Sequence, residues 1–402
     1  MSAEVPNDFG AGRKLRPRAF FSGMEWFPDC RDGGLDRYFF EAVRAFGGAG
    51  MDGTALVSAA VEASMGGIFV RGMARPGASV WRRCAGARTL AREAFRRGVD
   101  VVNAHFALYA FPWLRDLPSH VPLVVNFHGP WADEMRTEAR GLKEMSGSFA
   151  ARWIERSVYR RADFCITLSA AFRDLLHEKY GVPLNRIRVI PGGVDLTSYL
   201  ATPGRGAARE KLGWPKERRI LLSVRRLARR MGLDLLIAAM AEVRKEFPDV
   251  LLLIVGKGAE HDRLQNQIKE AGLTDHVRML GHIAESDLPS AYSAADISVV
   301  PTVALEGFGL VTVESLACGT PVLGTAVGGT AEILTSLNPD LLFADATASA
   351  IANGIRAALR GEIGLPDREA CRAYAQQYGW PVVMPQLLAV FEEAIEERRL
   401  RT

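Results

Sequence analysis

At 402 residues the chain exceeds the size at which one hydrophobic core usually stops growing, so two domains of about 190 residues each are the default. With 48% hydrophobic and 24% charged residues it reads as an ordinary globular protein, and no apolar run approaches the roughly 18 to 20 residues of a membrane-spanning helix. The net charge of +4, carried largely by arginine clusters such as Arg82-Arg83, Arg225-Arg226 and Arg229-Arg230, is too weak to imply a nucleic-acid partner.

The N-terminus, MSAEVPNDFGAGRKLRPR, is polar, and the apolar segment after it is interrupted by Glu25. A cleavable secretory signal is therefore not expected, and residues 1–15 read as a flexible tail. Cys30, Cys84, Cys165, Cys318 and Cys371 are scattered, odd in number and without Cys-x-x-Cys spacing, which points to neither a disulfide framework nor a zinc site. A reducing, cytoplasmic setting is expected.

From Arg16 onward short apolar runs alternate with longer helical patterns. RAFFSGMEWF reads as a strand, and GGLDRYFFEAVRAF as a glycine loop opening a helix. VDVVNAHF, VPLVVNFHG, ADFCITLS and RIRVIPGG follow as further strands. This alternation predicts a parallel sheet covered by helices over residues 16–197. Residues 198–210, with Pro203, Gly204 and Gly206, break the pattern as a linker. A second series then runs through 211–380: RRILLSVRRL, GLDLLIAAMAEVRKEF, VLLLIVGKG, HVRMLGHI and DISVVPT. The predicted fold class is α/β, two Rossmann-like doubly wound domains, with ligands bound outside the carboxyl ends of the strands. A basic, aromatic helix at 151–161 (ARWIERSVYRR) reads as a packed helix with a charged outer face, or as a peripheral contact to an anionic membrane.

Residues 306–334, EGFGLVTVESLACGTPVLGTAVGGTAEIL, carry the densest chemistry. The GFG phrase sits between the strand DISVVPT and a helix starting near Leu310, so its backbone N–H groups line a helix N-terminus, a site that favours phosphate. Glu314 follows Glu306 after seven intervening residues, roughly two helical turns, and so faces the same cleft one layer deeper. Carboxylates repel phosphate but accept hydrogen bonds from hydroxyls, each worth about 1.5–3 kcal/mol when charge-assisted. The ligand implied is a phosphate bracketed by two polyols, which describes a nucleotide sugar.

This segment resembles the signature of glycosyltransferase family 4 (glycosyl transferases group 1), retaining GT-B enzymes with a Glu, seven residues and a Glu, and EGFG at the first. The resemblance extends over most of the chain. It implies a central cleft between the two domains, a donor held mainly by the second, and a last helix, 381–402, returning to the first. By the resemblance, Glu306 hydrogen-bonds hydroxyls of the transferred sugar, the N–H groups of Phe308, Gly309, Leu310 and Val311 hold the sugar or distal phosphate, and Glu314 grips the ribose. Arg226 matches the arginine of the strand-end Gly-Arg-Leu motif that holds the donor diphosphate. Five residues on, where the family usually has lysine before glycine, this chain has Met231 before Gly232. Arg230 or Arg229 is placed to supply the missing cation, with a longer, bidentate reach.

Gly256-Lys257-Gly258 and Gly281-His282-Ile283 fall where the family's base-binding loops lie. Gly33 and Gly34 look like its N-terminal glycine loop, in which the missing Cβ atoms let backbone approach the phosphates. His128, in NFHGPW, resembles the histidine that lines the reaction centre against the transferred sugar, with His105, in NAHF, a lesser candidate.

No Asp-x-Asp occurs, so cationic side chains and helix N-termini, rather than a metal, are expected to stabilise the departing diphosphate. No cofactor is expected beyond the nucleotide-sugar co-substrate, because no Gly-x-Gly-x-x-Gly follows a strand and opens a helix. The expected activity is retaining transfer of a hexose-type sugar from a nucleoside diphosphate donor, UDP- or GDP-sugar favoured, to an acceptor hydroxyl in glycan, glycolipid or glycoside synthesis. A GT-B epimerase or phosphorylase, or a silent nucleotide-sugar-binding subunit, are the alternatives. Acceptor identity and oligomeric state are not encoded in these motifs.

Overall fold

The computed structural model of the protein describes residues 17–27, 34–75, 77–138 and 142–401. The expected tail and Gly33 lie outside the described residues.

The first sheet has eight strands: β1 (Arg18–Ser22), β2 (Asp52–Val57), β3 (Glu62–Met65), β4 (Gly67–Gly72), β5 (Val101–Ala104), β6 (Leu123–Phe127), β7 (Phe164–Thr167) and β8 (Ile187–Val189). Their order across the sheet is β3-β4-β2-β1-β5-β6-β7-β8, parallel except for the β3–β4 pair. The second sheet comprises β9 (Arg219–Val224), β10 (Val250–Val255), β11 (Val277–Gly281), β12 (Ile297–Val300) and β13 (Val322–Gly324), all parallel in the order β11-β10-β9-β12-β13. The α/β class expected from the alternating pattern is what forms.

The sequence dictates these strands directly. β10 is VLLLIV, buried at every position, the unbroken apolar run of a parallel strand covered on both faces. The helix Gly34–Gly48 buries Tyr38, Phe39, Ala42, Val43 and Phe46, a stripe at helical spacing, and sets Phe46 against Phe21 of β1 with ring centroids 5.0 Å apart.

The residues read as a linker, 198–210, take in most of the helix Thr197–Leu200 and of the helix Arg205–Leu212. The second of these is tied to the second sheet, because Arg209 donates to Ala294 O at 2.9 Å and to Asp296 at 2.7 Å.

The chain crosses back at Gly379. The helix Trp380–Arg401 packs Val383, Met384, Leu387, Val390, Phe391 and Ala394 into the first domain's core, where Phe391 stacks on Phe46 at 5.2 Å. Arg188 and Arg398 add ion pairs to Glu393 and Asp163. The two sheets thus present their carboxyl-end loops to one another across a cleft.

Candidate active site

β12 ends at Val300, and the chain turns through PTVALEGFG before the helix Leu310–Ala317. Leu305 takes a φ of 56°, the sole positive φ of a non-glycine among the described residues and a strained conformation for a branched side chain. Arg230 Nη1 donates to Leu305 O at 2.8 Å and straps this turn. The Gly328-Gly329 turn packs directly beneath: a Cβ on Gly328, whose φ is 53°, would lie 1.8 Å from Glu306 O, and Gly329 N donates to that oxygen at 3.1 Å.

Glu306 is buried, and both of its partners use one oxygen. Thr302 Oγ1 donates to Oε2 at 3.0 Å, and Arg225 Nη2 donates to the same atom. Oε1 has no protein partner among the described residues. Arg225 Nη2 also lies 3.0 Å from the Met231 sulfur, so a guanidinium stands at the end of the side chain where the family usually carries lysine. Sequence reasoning passed over Arg225. Its signal was the alternation at the end of β9, which buries Arg225 and exposes Arg226.

Arg230 is buried too. Burial holds its pKa below the usual arginine value, and the charges of Arg226 and Arg225 push the same way, while Glu134 and Glu306 oppose them. Its Nη2 meets Glu134 of the first domain at 3.2 Å.

Glu314 sits one layer deeper, as its spacing predicts. Burial raises its carboxyl pKa, but Arg37 Nη1 donates to it at 3.0 Å and Tyr292 OH at 2.8 Å. Arg37 comes from the opposite domain, where it also bonds Glu41 (3.0 Å) and Tyr199 OH (2.6 Å) and lies 3.6 Å from Glu285. Arg37 closes the stretch Gly33-Gly34-Leu35-Asp36-Arg37 that reads as the glycine loop, but the sequence gives it no role. Its partners are far away in the chain except for Glu41, one helical turn on.

Gly34 opens the same helix as Arg37, and a Cβ there would stand 3.4 Å from Leu310 Cδ1, so the glycine loop faces the N-terminus of Leu310–Ala317. Gly309, with φ of 90°, caps that N-terminus, and Leu310 and Val311 begin it, leaving their N–H groups without intrahelical partners. The Phe308 side chain turns away: a Cβ on Gly192 would sit 2.6 Å from its ring, which meets Tyr378 at 5.5 Å. Phe308 is therefore a domain contact by its side chain.

His128 lies at the end of β6 and meets the GFG turn, its carbonyl 3.3 Å from where a Cβ on Gly307 would be. Its Nε2 is 3.0 Å from His105 Nδ1. Burial lowers the pKa of His128 to about 3 and that of His105 well below the usual histidine value.

On the far side, Gly256 lets β10 end against β9, since a Cβ there would fall 1.9 Å from Arg225 O. Lys257 is exposed and contributes its carbonyl to Leu227 N at 2.8 Å, while Ile283 packs half-buried on the core. No group of three or more His, Cys, Asp or Glu is arranged to hold a metal among the described residues.

Residues 204–378 match the family described as glycosyl transferases group 1, and residues 32–198 match glycosyltransferase family 4. The D-inositol 3-phosphate glycosyltransferase of Kineococcus radiotolerans is 33% identical over 324 residues, 75% of this chain and 73% of that protein. The enzyme of the same name from Segniliparus rotundus is 30% identical over 338 residues, 79% and 70% of the two chains.

Among solved structures, sucrose-phosphate synthase of Thermosynechococcus elongatus superposes with a TM-score of 0.75 at 23% identity, covering 94% of this chain and 99% of that one. HepE of Anabaena, in complex with UDP and glucose, gives 0.72 at 20%, covering 94% and 100%. At such identities the likeness shows the GT-B fold. The chain therefore belongs to glycosyltransferase family 4, the glycosyl transferases group 1, and is a GT-B glycosyltransferase.

Proposed function

We propose that the protein transfers a hexose-type sugar from a nucleoside diphosphate sugar, UDP- or GDP-linked, to an acceptor hydroxyl, with retention at the anomeric carbon and without a metal. The observation that carries this reading is Glu306: its Oε2 is held by Arg225 and Thr302 while Oε1 is left for a sugar hydroxyl. Beside it lies a helix N-terminus suited to phosphate, faced by Gly34 and touched by His128 from the other domain. The complex of HepE with UDP and glucose supports a nucleotide-sugar donor.

In this reading the sugar lies between Glu306 and His128, and the diphosphate between the N-termini of Gly34–Gly48 and Leu310–Ala317. Glu314 binds the ribose through lone pairs that Arg37 and Tyr292 leave unused. Backbone at Gly256-Lys257 and Ile283 contacts the base. Arg226, exposed at the end of β9, neutralises the leaving diphosphate. Arg230 supplies the second cation once Glu134 releases it, and Arg225 already stands at Met231. The acceptor hydroxyl attacks on the face from which the diphosphate leaves, the leaving phosphate taking its proton, so no protein nucleophile is needed.

Thermal shift with UDP-, GDP-, ADP- and dTDP-sugars tests the donor, since a ligand at a hundred times its Kd stabilises by about 2.7 kcal/mol. Selective stabilisation by a UDP- or GDP-sugar, acceptor-dependent release of nucleotide in the presence of EDTA, and a product of unchanged anomeric configuration are expected. An inverted product would sink retention, and loss of turnover in EDTA would sink metal independence.

A further inference from the structure

The two histidines at the cleft belong to a longer chain of hydrogen bonds. Asn103 on β5 and Val124 and Asn126 on β6 are neighbours in adjacent strands, and Asn103 Nδ2 donates to Val124 O at 3.2 Å and to Asn126 Oδ1 at 2.9 Å. A backbone carbonyl only accepts, so the orientation of the Asn103 amide is fixed and its Oδ1 faces the other way. That oxygen lies 2.7 Å from His105 Nε2. An amide oxygen also only accepts, so His105 carries its proton on Nε2.

His105 is 3% exposed and packed against Phe39 at 4.9 Å and Tyr38 at 6.0 Å, so its ring stays neutral and Nδ1 is left with a lone pair. His128 Nε2 must then be the donor across the 3.0 Å contact. The ring planes differ by only 24°, and the centroids are 5.1 Å apart, about what an in-plane N–H···N bond between two imidazoles gives. The one nitrogen of His128 without a protein partner among the described residues is Nδ1.

We propose that Asn103 and His105 are positioning residues that set the tautomer of His128, so that Nδ1 presents a lone pair, not an N–H, to a hydroxyl of the transferred sugar. The inference rests on the reading of His128 as the residue facing that sugar. The orientation originates at the Val124 carbonyl and passes through two side chains before reaching the substrate. A hydroxyl that must donate to His128 is then free to accept from a donor elsewhere, which makes the pair selective for a sugar whose hydroxyl points at Nδ1. An N–H at that position would instead make the hydroxyl the acceptor and turn its proton toward a second partner that must accept. Burial matters because a protonated His128 would donate from both nitrogens and erase the distinction.

The test is the tautomer itself. In protein carrying ¹⁵N-labelled histidine, long-range ¹H–¹⁵N correlation should show both His105 and His128 as Nε2–H tautomers throughout pH 6–8, with His128→Gln identifying the signals. Asn103→Leu and His105→Phe should each make the His128 tautomer mixed and lower kcat on the order of tenfold, with nucleoside diphosphate affinity held within about twofold. His105→Gln should restore both the single tautomer and most of kcat, because a glutamine amide can donate to Asn103 and accept from His128 in the same sense.

An Nδ1–H tautomer of His128 in the unaltered protein would overturn the proposal. So would an unchanged single tautomer in His105→Phe. Tautomers that shift as expected while kcat stays level would overturn the link to the sugar and leave the hydrogen-bond chain standing. Nucleotide affinity and melting temperature show whether each variant is folded.

Discussion

Glu306 meets its protein partners through one oxygen, so the protein alone orients the carboxylate. Replacing it with alanine removes an aimed polar group, and Glu306→Ala is expected to lower kcat by about 10²–10³, or roughly 2.7–4 kcal/mol. Steady-state kinetics with near wild-type turnover would end its assignment. Arg230 poses the sharper question, because in this structure it straps Leu305 and pairs with Glu134. If it turns to the diphosphate, Arg230→Ala should weaken nucleoside diphosphate binding by about 1.5–3 kcal/mol in calorimetry, the worth of a charge-assisted bond. Glu134→Ala should leave binding intact or tighten it, and equal affinity in all three proteins would assign Arg230 to the turn alone. The histidines carry a pH prediction whose sign follows from burial. His128 is depressed to about 3, so between there and 6.5 the unfolded chain binds more protons than the folded one, and stability rises with pH across that window. Acid titration of unfolding should show this loss below pH 6.5, reduced in His128→Gln. Glu306, Glu314 and His128 were legible as candidates because short motifs surround them. Arg225 and Arg37 were not, since their partners Glu306 and Glu314 lie 81 and 277 residues away and only the fold unites them.

The turn and helix elements of the second domain decide where Glu306 points. Gly328 has φ of 53°, and a Cβ would fall 1.8 Å from Glu306 O, so this glycine is required twice, by its own backbone and by its neighbour's. Gly328→Ala is expected to cost at least about 1–2 kcal/mol from the left-handed conformation alone. That corresponds to a melting temperature lower by roughly 2–8 °C for a domain of this size. Turnover should fall further than stability, because relief of the overlap displaces Glu306. A variant with wild-type melting and kcat would show that the close approach is dispensable. Elements of this domain were easy to find in the sequence: β10 is one unbroken apolar run, and the helix after GFG starts at Leu310, as its motif predicts. β2, β3 and β4 were not singled out. β3 buries none of its four residues, and β4 alternates exposed and buried positions but carries the apolar Phe69, 45% exposed, on the outer face between buried Ile68 and Val70, so its sequence shows no apolar–polar alternation. The linker was read from Pro203 and two glycines, but Arg209 holds its second helix on the other sheet through contacts at Ala294 and Asp296, more than 80 residues away.

At the scale of the whole molecule, the cleft is bridged by charges. Arg37 reaches Glu314, Arg230 reaches Glu134, and Glu332 accepts from Ala170 N and Ala171 N, each at 3.0 Å. The first two contacts lie inside the candidate site, where the proposed donor would compete with them or adopt them. The third lies outside it, at the N-terminus of the helix Ala170–Tyr180, where a carboxylate satisfies two orphan donors and complements the helix dipole. Glu332 stands one turn beyond Gly328 on the helix Gly328–Leu337, so the element that supports Glu306 also carries the outer latch. The turn beneath Glu306 and this contact between the domains thus belong to one helix. Glu332→Gln removes the charge and keeps the size. A loss of about 0.3–1 kcal/mol should lower the ratio of closed to open molecules roughly two- to fivefold. Small-angle scattering of the ligand-free variant should then report a larger radius of gyration than the parent protein, returning to the parent value when the stabilising nucleotide sugar is added. Raising the salt concentration should expand the parent protein in the same direction and the variant less, because a screened charge–dipole contact has already been lost. An identical radius for the two proteins at low salt would show that Glu332 caps its helix without holding the cleft closed.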